Sequence, residues 1–417
     1  MDKVVIIGGG ISGLSSARYL AKAGWQVTVL DKGDFTDNCS YGNAGFVCPS
    51  HYIQLATPGI ARQGLKWMMD SKSPFYIQPR LNKDLINWGL SFLKSATARN
   101  VVKHGIPLRD IGLLSQHEYE TNWRDEIDMA YQQNGMLEIF KTKKGKEECA
   151  GVVAFGQKLG LDVALIDKEE LQSLEPHTAV DALGSIYYKC DGHLDPGKLM
   201  RGLIKELKEL GVTLIANTEV TQVQVKNHKI KCVGSSGAFY EADAFVLAAG
   251  SWSGAIAHQL NLKMPLVAGR GYSVTVPVLD EKYKLIHPGL LFEGRCAFTP
   301  MGDKVRFGGT MEITSPNTPP KFNRVIGILE AIHDFFPDIS VAHDAIKDQI
   351  WSGFRPVSGD GMPYLGRTKK WENLVVATGH SHLGLSLGAA TGLIVSELLE
   401  NQKTSVDISA FAVERFA

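Results

Sequence analysis

Residues 1–32, MDKVVIIGGGISGLSSARYLAKAGWQVTVLDK, decide the fold. An apolar run from Val4 to Ile7 leads into Gly8, Gly10 and Gly13, a helical stretch continues to Gly24, and a second apolar run, Val27 to Leu30, ends on Asp31. Gly8 permits a tight strand-to-helix turn, Gly10 lets the backbone approach a pyrophosphate, and Gly13 lets the helix pack closely on the strands. The helix N-terminus turns unpaired N–H groups and a positive dipole end toward phosphate. Asp31, about twenty residues on, is placed to accept hydrogen bonds from ribose hydroxyls. This order of strand, glycines, helix, strand and acid predicts a βαβ unit that binds a dinucleotide.

The 417 residues exceed one ordinary core, and two intertwined domains are expected. Lysine plus arginine and aspartate plus glutamate are 44 each, so no global field favours nucleic acid or an anionic bilayer. Cys39, Cys48, Cys149, Cys190, Cys232 and Cys296 are scattered without a C-x-x-C pair, which fits a reducing compartment and predicts no metal site. A first strand at residue 3 or 4 leaves no room for a signal peptide, so a cytoplasmic location is expected. No run of eighteen apolar residues predicts a membrane-spanning helix.

Downstream, Leu199, Leu203, Leu207 and Leu210 recur at helical spacing before Gly211. Val220–Val225 and Lys229–Val233 read as a hairpin, and Ala244–Ala248 as a buried strand running into Ala249, Gly250, Ser251 and Trp252. In an open α/β sheet ligands collect outside the carboxyl ends of the strands, so this second glycine-ended strand aims at the same crevice. Lys66–Ser95 is helical in pattern, with Trp67, Met68, Met69, Trp88, Phe92 and Leu93; core packing is the expectation, and a membrane-contacting face is the alternative. Leu266–Gly309 alternates as a mixed or antiparallel sheet, and Asn373–Ala377 is a strand followed by a helix. The fold expected is α/β, in two domains: a Rossmann-type nucleotide domain (1–85, 191–263, 347–417) interleaved with a substrate domain (86–190, 264–346) on that second sheet.

Five segments, besides the fingerprint, carry a resemblance: SYGNAGFVCPSHYIQLATPG, GLKWMM, RGYSVTVPV, WSGFRPVSGDGMPYLG and NLVVATGHSHLGLSLGAATG. With them the chain resembles, nearly end to end, the FAD-dependent D-amino-acid oxidase superfamily, and within it the bacterial D-amino-acid dehydrogenases. The resemblance implies FAD. Gly8, Gly10, Ile11, Ser12 and Gly13 would hold the pyrophosphate, and Asp31 and Lys32 the adenosine ribose. Ser40, Asn43, Ala44 and Gly45 would line the flavin, and Val220 would meet adenine through its backbone. Gly250, Trp252, Gly353, His380, Leu383, Gly384 and Leu385 would complete the cofactor site. A helix beginning near Gly384 would point its positive end at the flavin.

For the substrate, Arg355 matches the arginine that in relatives pairs with an amino-acid carboxylate, and a guanidinium suits that task as a planar bidentate fork. Tyr272 matches a tyrosine placed near the carboxylate or amine. The implied reaction moves a hydride from the substrate Cα to flavin N5, giving an imine that hydrolyses to a 2-oxo acid and ammonia. The electron acceptor is a quinone, another carrier or oxygen, the last making the protein an oxidase. An electron-transfer subunit of a heteromeric flavin complex is the alternative of another class, although such a subunit has no use for a carboxylate clamp. His382 departs from the dehydrogenase pattern, and an imidazole there could read a substrate hydroxyl, which keeps D-proline and cis-4-hydroxy-D-proline in view. CDGHLDPGKL leans toward the glycine oxidases, and His51 is a further residue near the pocket. A homo-oligomer and peripheral contact with the inner membrane face are compatible with the sequence, and Cys48 and Cys296 lie in no recognised flavin-attachment motif.

Overall fold

The computed structural model describes residues 1–60, 64, 72–342, 346–347 and 349–417. Lys3–Ile7 forms the centre of a six-stranded sheet in the order Tyr364–Arg367, Leu374–Thr378, Ala244–Leu247, Lys3–Ile7, Gln26–Leu30, Thr213–Ile215. All neighbours are parallel except the first pair. Val4 to Ile7 and Ala244 to Leu247 are buried along their whole length because helices or loops cover both faces, the usual reason that parallel strands are continuously apolar.

The helix Ile11–Lys22 buries Ile11, Leu14, Ala17 and Leu20 and ends at Gly24, whose φ of 92° suits glycine. A Cβ on Gly13 would stand 1.9 Å from the Gly8 carbonyl oxygen, so only glycine lets the helix approach its strand this closely. Helix Gly388–Leu399 packs on the first helix, and there Gly392 occupies the crossing point. Helix Pro196–Glu209, capped by Asp195, buries Leu199, Leu203 and Leu207, whereas Leu210 is its exposed C-cap.

The second sheet runs Ile350–Ser358, Leu266–Pro277, Lys304–Ile313, Cys296–Met301, Gly289–Leu291, Met136–Phe140, Gly184–Tyr188, Val163–Asp167, and Phe75–Ile77 pairs in parallel with Lys304–Ile313. It is mixed, with most pairs antiparallel. Helix Phe322–Phe335 covers one face, burying Val325, Ile328, Leu329 and Ile332 against Phe298 and Phe307. The small hairpin Gln222–Lys226 with Lys229–Ser235 forms as expected, joined by Ala238–Glu241.

Three expectations need correction. The stretch 66–95 is not one helix: residues 66–71 lie outside the described residues, Phe75–Ile77 is a strand, and helix Lys83–Ser95 follows. On that helix Trp88 packs inward, with Phe92 alongside, but Leu93 is 55% exposed, with Ile86 and Leu90 also on the open side. The division by residue number is cut across: Ile350–Ser358 pairs with the second sheet, and Leu108, Ile111, Tyr119 and Trp123 join the core of the nucleotide sheet.

Candidate active site

A crevice of about 440 Å³ runs along the carboxyl edge of the parallel sheet. At one end Gly8, Gly10, Ile11 and Ser12 line it, with the helix N-terminus facing in; Ile11 N–H donates to Ser40 Oγ at 3.0 Å, which fixes the following loop to that turn. Asp31 lies beside them, accepting from Gly9 N–H at 2.6 Å and Gly33 N–H at 2.7 Å. Each carboxylate oxygen keeps a lone pair for a ligand hydroxyl. Lys32 Nζ sits 3.4 Å above the Trp252 ring, and burial lowers its pKa. Val220, Gly250 and Trp252 close this end, and Ser40 and Asn43 continue the wall.

At the other end stand Arg355, His380, His382, Gly384 and Leu385. Arg355 Nη1 donates to the Thr310 carbonyl at 2.6 Å, and among the described residues no carboxylate pairs with the guanidinium. Burial pushes its pKa down to about 10. Gly271 makes the position available, since a Cβ there would meet Arg355 Nη1 at 2.2 Å. His380 is buried, its Nε2 3.0 Å from Thr391 Oγ1, which ties the turn to helix Gly388–Leu399. His382 is exposed within the crevice; desolvation by the surrounding protein, then His51, then Arg355 push its pKa down to about 3.

Other expected residues stand behind the lining. Gly13 and Leu383 pack in the core, Ala44 accepts from Thr299 Oγ1 through its carbonyl, Gly45 turns the chain at a φ of 74°, and Gly353 leaves room for Trp351. Tyr272 is displaced from the expected place. Its pairing partners shift register between Arg270 and Tyr272, and the ring falls on the face beneath helix Phe322–Phe335, 2% exposed, with its hydroxyl donated to Glu312 at 2.8 Å. It shares that face with Val274, as the alternation of its own strand requires. The helix expected near Gly384 begins at Gly388, because Ser381–Leu383 forms a 3-10 turn and Leu387 N–H returns to the Leu383 carbonyl.

The structure also gathers residues to which the sequence gave little weight. The short pairing of Phe46–Val47 with Gly192–His193 sets Cys48, His51 and Asp191 side by side, one polar atom of each within 4.8 Å of the others. Asp191 is fully buried, accepts from Ser50 N–H at 3.1 Å and from Ser50 Oγ, and is pushed up to about 7 by desolvation. His51 Nδ1 is buried without a partner, and the ring stands 5.9 Å from that of His382. Phe354 and Cys39 also line the crevice, joined by the Phe354 N–H to Cys39 Sγ bond. Burial raises the Cys48 thiol far above its ordinary range and the Cys296 thiol to about 12.

A glycine-turned helix N-terminus, an acid at the second strand and a crevice closed by a second sheet define a two-domain dinucleotide-binding protein. The chain belongs to the DAO family of FAD dependent oxidoreductases, which matches residues 3–398. It is 30% identical over 437 residues to a D-amino acid dehydrogenase of Bradyrhizobium diazoefficiens, covering 100% of this chain and 99% of that one. Another D-amino acid dehydrogenase, of Granulibacter bethesdensis, is 28% identical over 421 residues, covering 100% of both. The fold matches a glycine oxidase from Geobacillus kaustophilus with a TM-score of 0.75 at 22% identity, over 100% of this chain and 99% of that one. FAD is the cofactor, and the crevice fits it: Gly10 lines it at the helix N-terminus, Asp31 has free lone pairs, and Arg355 at the far end has no carboxylate partner among the described residues.

Proposed function

We propose that the protein is a D-amino acid dehydrogenase, converting a D-amino acid to a 2-oxo acid and ammonia by way of an imine, with electrons passed to a quinone or another carrier. The observation that carries this reading is Arg355, a guanidinium in the crevice with no acidic partner among the described residues. Nature seldom buries such a charge unpaired, and an incoming carboxylate supplies the missing counter-ion. FAD, when bound, supplies the two-electron acceptor. Gly8, Gly10, Ile11 and Ser12 hold its pyrophosphate, Asp31 and Lys32 its ribose, and Ser40, Asn43, Val220, Gly250, Trp252, His380, Gly384 and Leu385 the rest of its length, with Gly13, Ala44, Gly45, Gly353 and Leu383 as support.

Arg355 clamps the substrate carboxylate and so fixes the direction of the Cα–H bond. His382 lines the same crevice as Arg355, its imidazole held neutral, with Phe354 and Pro356 as apolar walls. Among the described residues no helix is long and apolar enough to cross a membrane. The reading places the enzyme in the cytoplasm, reaching its acceptor at the inner membrane face. The test is turnover of a D-amino acid with a quinone analogue against turnover with oxygen. Dye or quinone reduction with little peroxide supports a dehydrogenase, and stoichiometric peroxide with no dye activity removes that reading.

A further inference from the structure

Cys48, His51 and Asp191 come together from two segments far apart in the chain, which is why cysteine spacing gives no sign of them. Cys48 and His51 flank one turn, closed by His51 N–H donating to the Cys48 carbonyl at 3.2 Å. The pairing of Phe46–Val47 with Gly192–His193 brings Asp191 to that turn, and a sulfur, a ring nitrogen and a carboxylate oxygen then lie within 4.8 Å of one another. Two features of this group have no explanation in packing. Asp191 is fully buried, yet among the described residues no lysine or arginine pairs with it. The His51 ring is half-buried, and its Nδ1, sealed from water, has no hydrogen-bond partner, although such an atom ordinarily has one. A cation between them answers both, because it neutralises the acid and accepts the lone pair of the ring nitrogen.

We propose that Cys48, His51 and Asp191 form a binding site for a divalent cation of the zinc type. The donor set selects the metal: thiolate and imidazole suit Zn²⁺, whereas Mg²⁺ and Ca²⁺ take oxygen ligands. Ligand atoms of a tetrahedral zinc site stand roughly 3.3–3.6 Å apart, so side-chain rotation has to close these three by at most about 1.5 Å. On binding, the Cys48 S–H bond breaks, its electron pair stays on sulfur to form the metal–sulfur bond, and the proton leaves to solvent. The Cys48 thiolate and the Asp191 carboxylate then balance the dication, and the buried site carries no net charge. Water fills the fourth position.

The surroundings hold each donor in place. Ser50 N–H at 3.1 Å and the Cys190 thiol at 3.5 Å both donate to Asp191 Oδ1, the kind of outer contact that orients a metal ligand. Phe46 stacks on the His51 ring with centroids 6.4 Å apart, and Cys48 N–H donates to Ser386 Oγ at 2.9 Å. A filled site ties the loop that follows residues 40–45 to the turn before His193, and so stiffens the wall of the crevice. Arg355 takes no part in it, and the site does not depend on which substrate the crevice accepts.

The test uses the flavin-loaded enzyme stripped with a chelator, the state in which Asp191 titrates as a lone buried acid, and titrates it with Zn²⁺ in competition with a chromophoric zinc chelator. One zinc per chain should bind with a Kd below about 10⁻⁶ M. Cys48→Ser and His51→Gln should each weaken binding by more than the roughly 10–100-fold that removing an outer partner costs, whereas Cys190→Ser should stay within that range. Cys39→Ser, a half-exposed thiol elsewhere, should change nothing. No zinc retained at that affinity, or zinc retained equally by Cys48→Ser and His51→Gln, overturns the proposal. Where these variants fail to fold, Co²⁺ added to the stripped wild type decides. Tetrahedral cobalt on a thiolate gives d–d bands to the red of the oxidised flavin, and their absence overturns the site.

Discussion

Replacing Arg355 by methionine should separate binding from stability, because the two respond with opposite signs. Arg355 is half-buried in the crevice with one carbonyl bond and, among the described residues, no counter-ion, and its pKa falls from 12.5 to about 10. That shift corresponds to about 3 kcal/mol of unfavourable charge burial. Losing the bond to Thr310 returns about 1 kcal/mol of it. Arg355→Met, of similar length, should therefore stabilise the substrate-free protein by about 2 kcal/mol. With an unfolding entropy of about 2.1 cal/mol/K per residue, the melting temperature should rise by roughly 2 °C. Substrate should be lost heavily. Two charge-assisted bonds to a carboxylate, at about 1.5–3 kcal/mol each, amount to a 10²–10⁴-fold fall in kcat/KM. Steady-state kinetics on a D-amino acid, beside thermal unfolding of the flavin-loaded protein, reads both quantities. An unchanged kcat/KM would refute the clamp, and a large fall in melting temperature would show that Arg355 serves the fold.

Gly271→Ala should reproduce the kinetic loss without touching the arginine, because its Cβ would meet Nη1 at 2.2 Å; kcat/KM should fall at least about 10-fold for a misplacement near 1 Å, with flavin content unchanged. Asp191 is raised from 3.8 to about 7, so its contribution is fully present below pH 3.8 and is lost as pH rises through 7. Asp191→Asn removes that loss, and denaturant melts should show its stability relative to wild type growing by a few kcal/mol between pH 4 and 8. His380 is pushed from 6.5 down to about 4 by burial, so its unfolded form binds more protons between those values and wild-type stability falls as pH drops through that window. His380→Gln should flatten the acid limb by about 3 kcal/mol in the same melts.

The nucleotide half was legible because its signals are local. Gly8, Gly13 and Asp31 act within one βαβ unit, and the strand Ala244–Leu247 announces itself by continuous apolarity. The active-site end depends on pairings between distant segments. Tyr272 lies with Val274 beneath helix Phe322–Phe335, in step with the alternation of its own strand, so the resemblance and not the pattern put it beside the substrate. His51 and Asp191 meet through a two-residue pairing too short to leave any periodicity, so the acid inside CDGHLDPGKL drew no notice. Glycine spacing near 384 suggested a helix start, but the 3-10 turn at Ser381–Leu383 delays it to Gly388. Arg355 was legible by resemblance, whereas its lack of a counter-ion, which gives it meaning, exists only in three dimensions.

The most direct test of the central claim is anaerobic bleaching of the bound flavin by paired ligands, D-alanine, L-alanine and D-alaninamide, with D-proline and cis-4-hydroxy-D-proline to extend the panel. The account predicts a flavin spectrum in the purified protein, bleaching by D-amino acids, and none by the L-isomer or by the amide that Arg355 cannot clamp. Bleaching by the amide as fast as by D-alanine, or by L-alanine alone, would contradict it.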